Sequence, residues 1–274
     1  MLPSMVTQYD VVKWRNNIIR SPANPNGVAE TSWNNYARHL SALYNFGLER
    51  RLLGACDANP FKGVRVREPR KPKKILHPDV VGLARRELNN CRIYEEASRK
   101  PSSLHPAWFW EVVVETFYFT GIRLNQLLNI QAQHVDLKRC VLVGSAEGAK
   151  NHAEFILPIP DRLHPLLSCL MSQAFRTGIG ANEQLFNVNR YSHRHRRKVM
   201  NKSQVSHFFD RLSEVCGARV TPHRFRHTLG TDLMEDPERN LHLTQQILAH
   251  SDIRSTLEYV HPKTETLRQL LNQR

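Results

Sequence analysis

The stretch ILAHSDIRSTLEYVHP, residues 247–262, places Tyr259 nine residues after His250. A tyrosine hydroxyl can attack a phosphodiester, but a free phenol has a pKa of about 10 and is a poor nucleophile. The attack therefore needs cationic groups that stabilise the phenolate and the transition state. The alternative is a packing residue, because DIRSTLEYV has helical periodicity and such a tyrosine is usually buried or half-buried.

Two candidate cations lie earlier in the chain. In FTGIRLNQLLNI, Gly121 is predicted to end one helix and Arg123 to begin the next, with Thr120 able to help cap it. The free N–H groups at the start of a helix and the guanidinium of Arg123 could together bind an anion. The alternative is that Arg123 is simply solvated. The second candidate, Lys150, lies on the connection of a predicted β-hairpin, where a lysine is otherwise simply exposed.

A further group of cations occurs in VTPHRFRHTLGTDL, in a helix predicted to follow Pro222. His223 and His227 share a helix face, which suggests a metal site, but position 224 is an arginine where a zincin has its glutamate. His223 and Arg226 lie one turn apart and suit contacts to one phosphate. For His227 a packed, hydrogen-bonded side chain is an equal alternative, so it receives no catalytic role, and no metal site is predicted.

The composition favours a polyanionic partner. The 274 residues contain 39 Lys and Arg against 25 Asp and Glu, a formal charge of +14. A membrane partner is disfavoured because no apolar run approaches the roughly 18 residues of a spanning helix, and the N-terminus lacks a signal-peptide pattern. The five scattered cysteines read as reduced thiols, so we expect a cytoplasmic protein.

No cofactor is predicted. The sequence has neither a carboxylate cluster for two metal ions nor a GxxxxGK(S/T) loop for ATP. Cleavage and rejoining of a nucleic-acid strand without metal ions or ATP needs a covalent intermediate that conserves the energy of the phosphoester.

The pattern of elements predicts a mainly α fold with a small β-sheet. Helices are predicted at residues 6–20 and 28–52, and the runs CVLVGSA and EFILPIP are predicted to pair as a hairpin. We expect a helical N-terminal domain at 1–63, a basic linker at 64–76 and a mostly helical domain at 77–274. The second helix shows an apolar face made by Trp33, Tyr36, Leu40, Leu43, Tyr44 and Leu48.

Two basic segments are candidates for contacts to a nucleic-acid backbone. Residues 62–74 hold seven basic residues, one acid and two prolines, so an extended chain is predicted there. A merely solvated tether is the alternative. The second segment spans residues 190–202. The candidate contact residues are Lys62, Arg65, Arg67, Arg70, Lys71, Lys73 and Lys74 in the first segment, and Arg194, Arg196, Arg197, Lys198 and Lys202 in the second.

The ordered set of motifs resembles the tyrosine recombinase (phage integrase) family. The set comprises the arginine of TGIR, a lysine on a β-hairpin, HRFRH read as H-x-x-R-H, and LAHSDIRSTLEYVHP, which is similar to the family's LGHSSISTTQIYTH. The resemblance implies a helical core-binding domain followed by a mixed, mostly helical catalytic domain. We expect a simple two-domain member of the family, without an extra arm-binding domain, from the length of 274 residues.

The resemblance also implies a role for each matched residue. Tyr259 would form a 3′-phosphotyrosyl bond, and Arg123, Arg226 and His250 would hold the non-bridging oxygens. Lys150 would protonate the leaving 5′-oxygen, and His223 would assist proton transfer at the tyrosine. The partner would be double-stranded DNA, bound by a dimer at each site and exchanged in a tetramer, with accessory DNA-bending proteins as possible additions.

Two departures and two alternatives remain. Gln126 stands where the family usually has a glutamate, and Ala249 where it usually has a glycine, both at supporting rather than chemical positions. A type IB topoisomerase would use the same chemistry on one strand, and a sequence-specific DNA-binding protein would use the basic charge alone. RNA binding is disfavoured because no RRM, KH or dsRBD signature is present.

Overall fold

The chain is mainly α-helical with one small antiparallel sheet. The computed structural model describes residues 2–54, 56–69, 74–144, 155–191, 198–249, 252–260, 268 and 271–272. The chain forms two compact units, Met1–Pro72 and Lys73–Arg274. Within the described residues, no helix is both long and apolar enough to cross a bilayer.

The first unit is built on α1 (Gln8–Ile18) and α2 (Glu30–Glu49), which confirms the two predicted helices. α1 begins with a capping box, in which Thr7 and Asp10 satisfy each other's backbone N–H groups. Trp33 of α2 is fully buried, and its indole N–H donates to the carbonyl of Val64 at 2.9 Å. A buried indole with a hydrogen-bond partner fixes the centre of this small core.

The predicted apolar face of α2 is wider than the one that is buried. Tyr36 is 43% exposed and Leu43 is 64% exposed, so these two residues of the apolar face do not belong to the core. The buried residues of α2 are Trp33, Ala37, Tyr44 and Gly47. Tyr36 and Leu43 lie beside this stripe, where periodicity alone does not show which apolar side chains a neighbouring segment covers.

Residues 64–69 are the last described residues of the first unit and form no regular helix or strand. Val64 is buried, Val66 packs on the same core, and the side chain of Asn34 accepts from the backbone N–H of Val66 and donates to its carbonyl. Arg65 and Arg67 alternate with these valines and are exposed. The VRVR pattern therefore packs its apolar side chains on α2 and presents its arginines to solvent.

The second unit contains eight described α-helices and the sheet. The helices are α3 (Pro78–Ser98), α4 (Ala107–Thr120), α5 (Leu124–Leu128), α6 (His164–Arg176), α7 (Lys202–Val215), α8 (Pro222–Leu233), α9 (Pro237–Ile247) and α10 (Ile253–Leu257). The helix predicted to follow Pro222 is confirmed. Both α3 and α8 begin at a proline, a residue that is favoured in the first turn of a helix.

The sheet has the order β1 (Val135–Asp136), β2 (Val141–Gly144) and β3 (Phe155–Pro158), with antiparallel neighbours. Val141 pairs with Pro158 and Gly144 with Phe155, so the predicted pairing of the two runs is confirmed. The connection at 145–154, which includes Lys150, lies outside the described residues.

α4 forms the centre of the second unit and is apolar on nearly all sides. Its Glu115 is 7% exposed and forms a two-bond ion pair with Arg85 of α3, at 2.6 and 2.7 Å. The pair raises the pKa of Arg85. α4 ends at Gly121, whose φ of 59° is left-handed, and this turn leads directly to Arg123.

Candidate active site

Arg123 occupies the N-cap position of α5, as the sequence predicted for the start of a helix. Its two terminal guanidinium nitrogens each lie 3.4 Å from the carbonyl oxygen of Ala249. Burial lowers the pKa of Arg123, and the nearby phenol of Tyr259 opposes this shift. The guanidinium is therefore a half-buried cation held between α5 and the segment that follows α9.

Arg226 projects from α8 and is only 4% exposed. It donates to the carbonyl of Gly121 at 2.9 Å and to that of Leu248. Burial lowers its pKa to about 10, repulsion by Arg123 adds to this, and Tyr259 acts in the opposite direction. Within the described part of the chain neither Arg123 nor Arg226 has a carboxylate partner, so the two positive charges lie together without a counterion.

Tyr259 is the third member of this cluster and is 3% exposed. Helical structure is confirmed only for Ile253–Leu257 of the predicted DIRSTLEYV helix, and Tyr259 lies in the turn beyond it. Its N–H donates to the carbonyl of Thr256, and its ring packs with Met234 and Leu248. The tyrosine is thus both a buried packing residue and a neighbour of the half-buried Arg123 and the buried Arg226.

The hydroxyl of Tyr259 lies 2.9 Å from Nδ1 of His227. His227, to which the sequence pattern assigned no catalytic role, is 8% exposed on α8. His223 is exposed, and its ring centroid lies 4.0 Å from that of His227. The shared helix face of the two histidines was the only local signal for His227, and it suggested a metal site rather than a contact with a distant tyrosine.

The structure thus brings Arg123, Arg226 and Tyr259 together, with His223 adjacent through His227. The other two residues matched to the family's catalytic motif, Lys150 and His250, lie outside the described residues. In the described part of the chain, no group of three or more His, Cys, Asp and Glu side chains could hold a metal ion.

Comparison with known proteins identifies the family. Residues 86–266 match the model of the phage integrase family. The chain belongs to this family. The match contains Arg123, Arg226 and Tyr259, so the buried cluster lies within the family's own domain.

Two similar relatives are both named putative tyrosine recombinase XerC. The one from Pseudomonas syringae is 40% identical over 268 residues, which are 98% of this chain and 55% of the relative. The one from Pseudomonas aeruginosa is 38% identical over 264 residues, which are 96% of this chain and 61% of the relative. This phage integrase family member therefore spans little more than half the length of these relatives.

Solved structures show the same fold. The XerH site-specific recombinase bound to a palindromic difH substrate, in a post-cleavage complex, matches with a TM-score of 0.71 at 13% identity, over 98% of this chain and 70% of that chain. The Tn1549 transposon integrase in complex with transposon right end DNA matches with a TM-score of 0.70 at 16% identity, over 100% and 87%. The fold is that of the tyrosine recombinases, as the resemblance implied.

The two residues that depart from the family's usual motif both contact Arg123. Gln126 is 3% exposed, and its side-chain oxygen accepts from the backbone N–H of Arg123 at 2.9 Å, while its buried amide nitrogen has no partner among the described residues. Ala249 has a φ of 45°, a left-handed conformation that suits glycine better. Its carbonyl nevertheless faces Arg123, so the alanine keeps the contact at some cost in backbone strain.

The candidate DNA contacts divide into two groups. Lys62, Arg65, Arg67, Lys74, Lys198 and Lys202 are all exposed. Arg70, Lys71, Lys73, Arg194, Arg196 and Arg197 lie outside the described residues. Arg190, at the start of the second basic segment, forms an ion pair with Glu183 and is therefore already partnered.

Proposed function

We propose that this chain is a site-specific recombinase that cleaves and rejoins duplex DNA through a 3′-phosphotyrosine at Tyr259. The observation that carries the proposal is the placement of Arg123 and Arg226, two cations without a carboxylate partner in the described chain, beside a buried tyrosine. Burying charge without a counterion is costly, so such a pair is suited to an anion that arrives with the substrate.

The chemistry follows from the charges. The oxygen of Tyr259 attacks the scissile phosphorus, and negative charge grows on the non-bridging oxygens as the five-coordinate transition state forms. Arg123 and Arg226 stabilise that charge in a largely buried site, where a fixed cation acts most strongly. The roles of His250 as a further donor to the phosphate, of Lys150 as the acid for the 5′-oxygen and of His223 in proton transfer rest on the family resemblance.

The proposed partner is double-stranded DNA, bound by the exposed cations of both basic segments. A dimer would bind each site, and two bound sites would form a tetramer that exchanges strands through a Holliday junction. The bond energy is kept in the phosphotyrosine, so the step needs no metal ion or ATP. The reaction would take place in the cytoplasm, and accessory DNA-bending proteins could join the complex.

A covalent-trapping experiment tests this function. The protein is incubated with nicked duplexes tiled from the DNA that flanks its own gene, and a protein–DNA adduct that resists denaturant is sought. Tyr259→Phe is expected to abolish the adduct and leave DNA binding intact. Tyr94→Phe is the matched control, because Tyr94 is 50% exposed on α3.

Two outcomes would contradict the proposal. Tight binding without an adduct on any duplex would indicate a DNA-binding protein without catalysis, and an adduct that persists in Tyr259→Phe would place the nucleophile elsewhere. Junction formation between two sites separates a recombinase from a type IB topoisomerase, which would reseal one strand without a partner duplex.

A further inference from the structure

We infer that His227 is the catalytic residue that takes the proton of Tyr259 when the tyrosine attacks, an inference that rests on the proposed function. Nδ1 of His227 and the hydroxyl oxygen of Tyr259 are 2.9 Å apart. This distance is within the reach required of a general base toward the proton it removes. Imidazole is also the side chain best suited to accept a proton near neutral pH.

The contact is part of a surface on α8, within a single helical turn, against which the tyrosine packs. His227 meets the hydroxyl at one end of the phenol, and Gly230, three residues further on the same helix, lies against the ring. His227 also follows Arg226 directly in sequence, so one rigid helix positions both a phosphate-binding cation and the proton acceptor. The tyrosine oxygen is therefore held between a base and the expected position of the phosphate.

The role of His223 then differs from the one that the family resemblance implies, which is direct assistance of proton transfer at the tyrosine. It is exposed, one turn before His227, and the two rings are in edge contact with centroids 4.0 Å apart. A buried imidazolium is costly, and this cost is removed when its proton passes on to solvent. We assign the first transfer to His227 and the exchange with solvent to His223.

Every proton in the reaction is supplied and accepted by the protein and the DNA, without an added reagent. The O–H bond of Tyr259 breaks and its proton passes to Nδ1 of His227, while the phenolate oxygen bonds to phosphorus. The bond from phosphorus to the 5′-oxygen breaks, and that oxygen receives a proton from Lys150, as in the proposed function. Rejoining reverses each transfer, so His227 returns the proton to Tyr259 and both groups are restored.

A substrate with an activated leaving group distinguishes the loss of the general base from the loss of the general acid. The cleavage site located by trapping is synthesised with a 3′-(p-nitrophenyl) phosphate, whose departing nitrophenolate needs no protonation. Single-turnover adduct formation is measured for the wild type, His227→Asn, His227→Ala, His223→Asn and Lys150→Ala on both the normal and the nitrophenyl duplex. Asparagine places a polar atom near the position of Nδ1 but cannot act as a base.

We expect both His227 variants to form the adduct about 10²- to 10⁴-fold more slowly on both duplexes, the usual contribution of a general base. His223→Asn is expected to slow adduct formation less than the two His227 variants do. Lys150→Ala is expected to be slow on the normal duplex and to recover on the nitrophenyl duplex. Thermal melting and DNA binding of His227→Asn, compared with those of the wild type, separate a chemical defect from a folding defect.

Three results would overturn the inference. Adduct formation by His227→Asn at the wild-type rate would show that no base acts there. Faster cleavage by His227→Ala would show that the contact restrains Tyr259 instead of activating it, and a greater loss in His223→Asn would return the role to His223. Failure of the wild type to form any adduct would instead refute the proposed function itself, so the two failures are distinguishable.

Discussion

Gly230 of α8 faces the ring of Tyr259 so closely that a Cβ atom at Gly230 would lie 2.9 Å from Cε1 of the tyrosine and 3.0 Å from Cδ1 and Cζ. Real Cβ atoms do not approach other carbons to this distance. The glycine is therefore needed for space, not for its backbone conformation, since it lies inside a helix where alanine is favoured. The position of the proposed nucleophile depends on one missing methyl group.

Gly230→Ala is expected to displace the ring of Tyr259 and to slow adduct formation about 100-fold, because a shift of about 1 Å in a reacting group has this effect. Gly82→Ala is the control, because Gly82 is an exposed residue of α3 with open space around it. Replacement at Gly82 is expected to stabilise the fold by about 0.5–1 kcal/mol without changing cleavage. Equal cleavage rates for the two variants would show that the ring accommodates the methyl group.

Gly121→Ala is expected to destabilise the second unit by more than the backbone strain of an alanine in a left-handed conformation. A Cβ there would lie 2.9 Å from a methyl carbon of Leu229, and φ is 59°. Gly178→Ala supplies the matched control, because φ is 74° and nothing lies within 4 Å. Urea unfolding is expected to show about 1 kcal/mol lost at Gly178, and a further 1–3 kcal/mol or so at Gly121 from overpacking.

The same pair of variants tests how Arg226 is held. The carbonyl of Gly121 accepts from Arg226, so a shift of this turn is expected to weaken phosphate binding in Gly121→Ala and not in Gly178→Ala. Phosphate binding by Gly121→Ala equal to that of the wild type would show that the turn does not set the position of the guanidinium.

Phosphate or orthovanadate is expected to stabilise the DNA-free protein. Burial and the neighbouring Arg123 lower the pKa of Arg226 to about 10, so at pH 7.5 the side chain is still charged and the charge is costly. An anion relieves this cost, and at about ten times its Kd it contributes roughly 1.4 kcal/mol. Thermal melting against chloride at equal ionic strength measures the effect, and Arg226→Gln is expected to remove most of it. A shift of equal size in that variant would place the anion elsewhere.

DNA binding is expected to weaken steeply with salt, with a log–log slope of about −5 to −10. Lys198→Gln and Lys202→Gln are each expected to reduce the magnitude of this slope by about one, because each removes one phosphate contact. Lys100→Gln is the control, since Lys100 is exposed but outside both basic segments. A slope near zero in the wild type would contradict a role for these segments in DNA binding.

The sequence by itself determined the local structure and the family. Prolines at the helix starts, a glycine at the end of α4 and alternating or helical apolar patterns each act over a few residues, so the helices and the pairing of β2 with β3 could be predicted. The placement of Arg123 at the start of α5 is equally local. The ordered motifs predicted the family because they need no knowledge of packing.

Only the tertiary structure decided which side chains meet. Arg226 donates to a carbonyl 105 residues away, and the hydroxyl of Tyr259 meets a histidine 32 residues earlier. The exposure of Tyr36 and Leu43 on a helix predicted correctly has the same origin. Periodicity shows which face of a helix is apolar, but contact and burial depend on the elements that pack against that face, and these are brought together only when the chain folds.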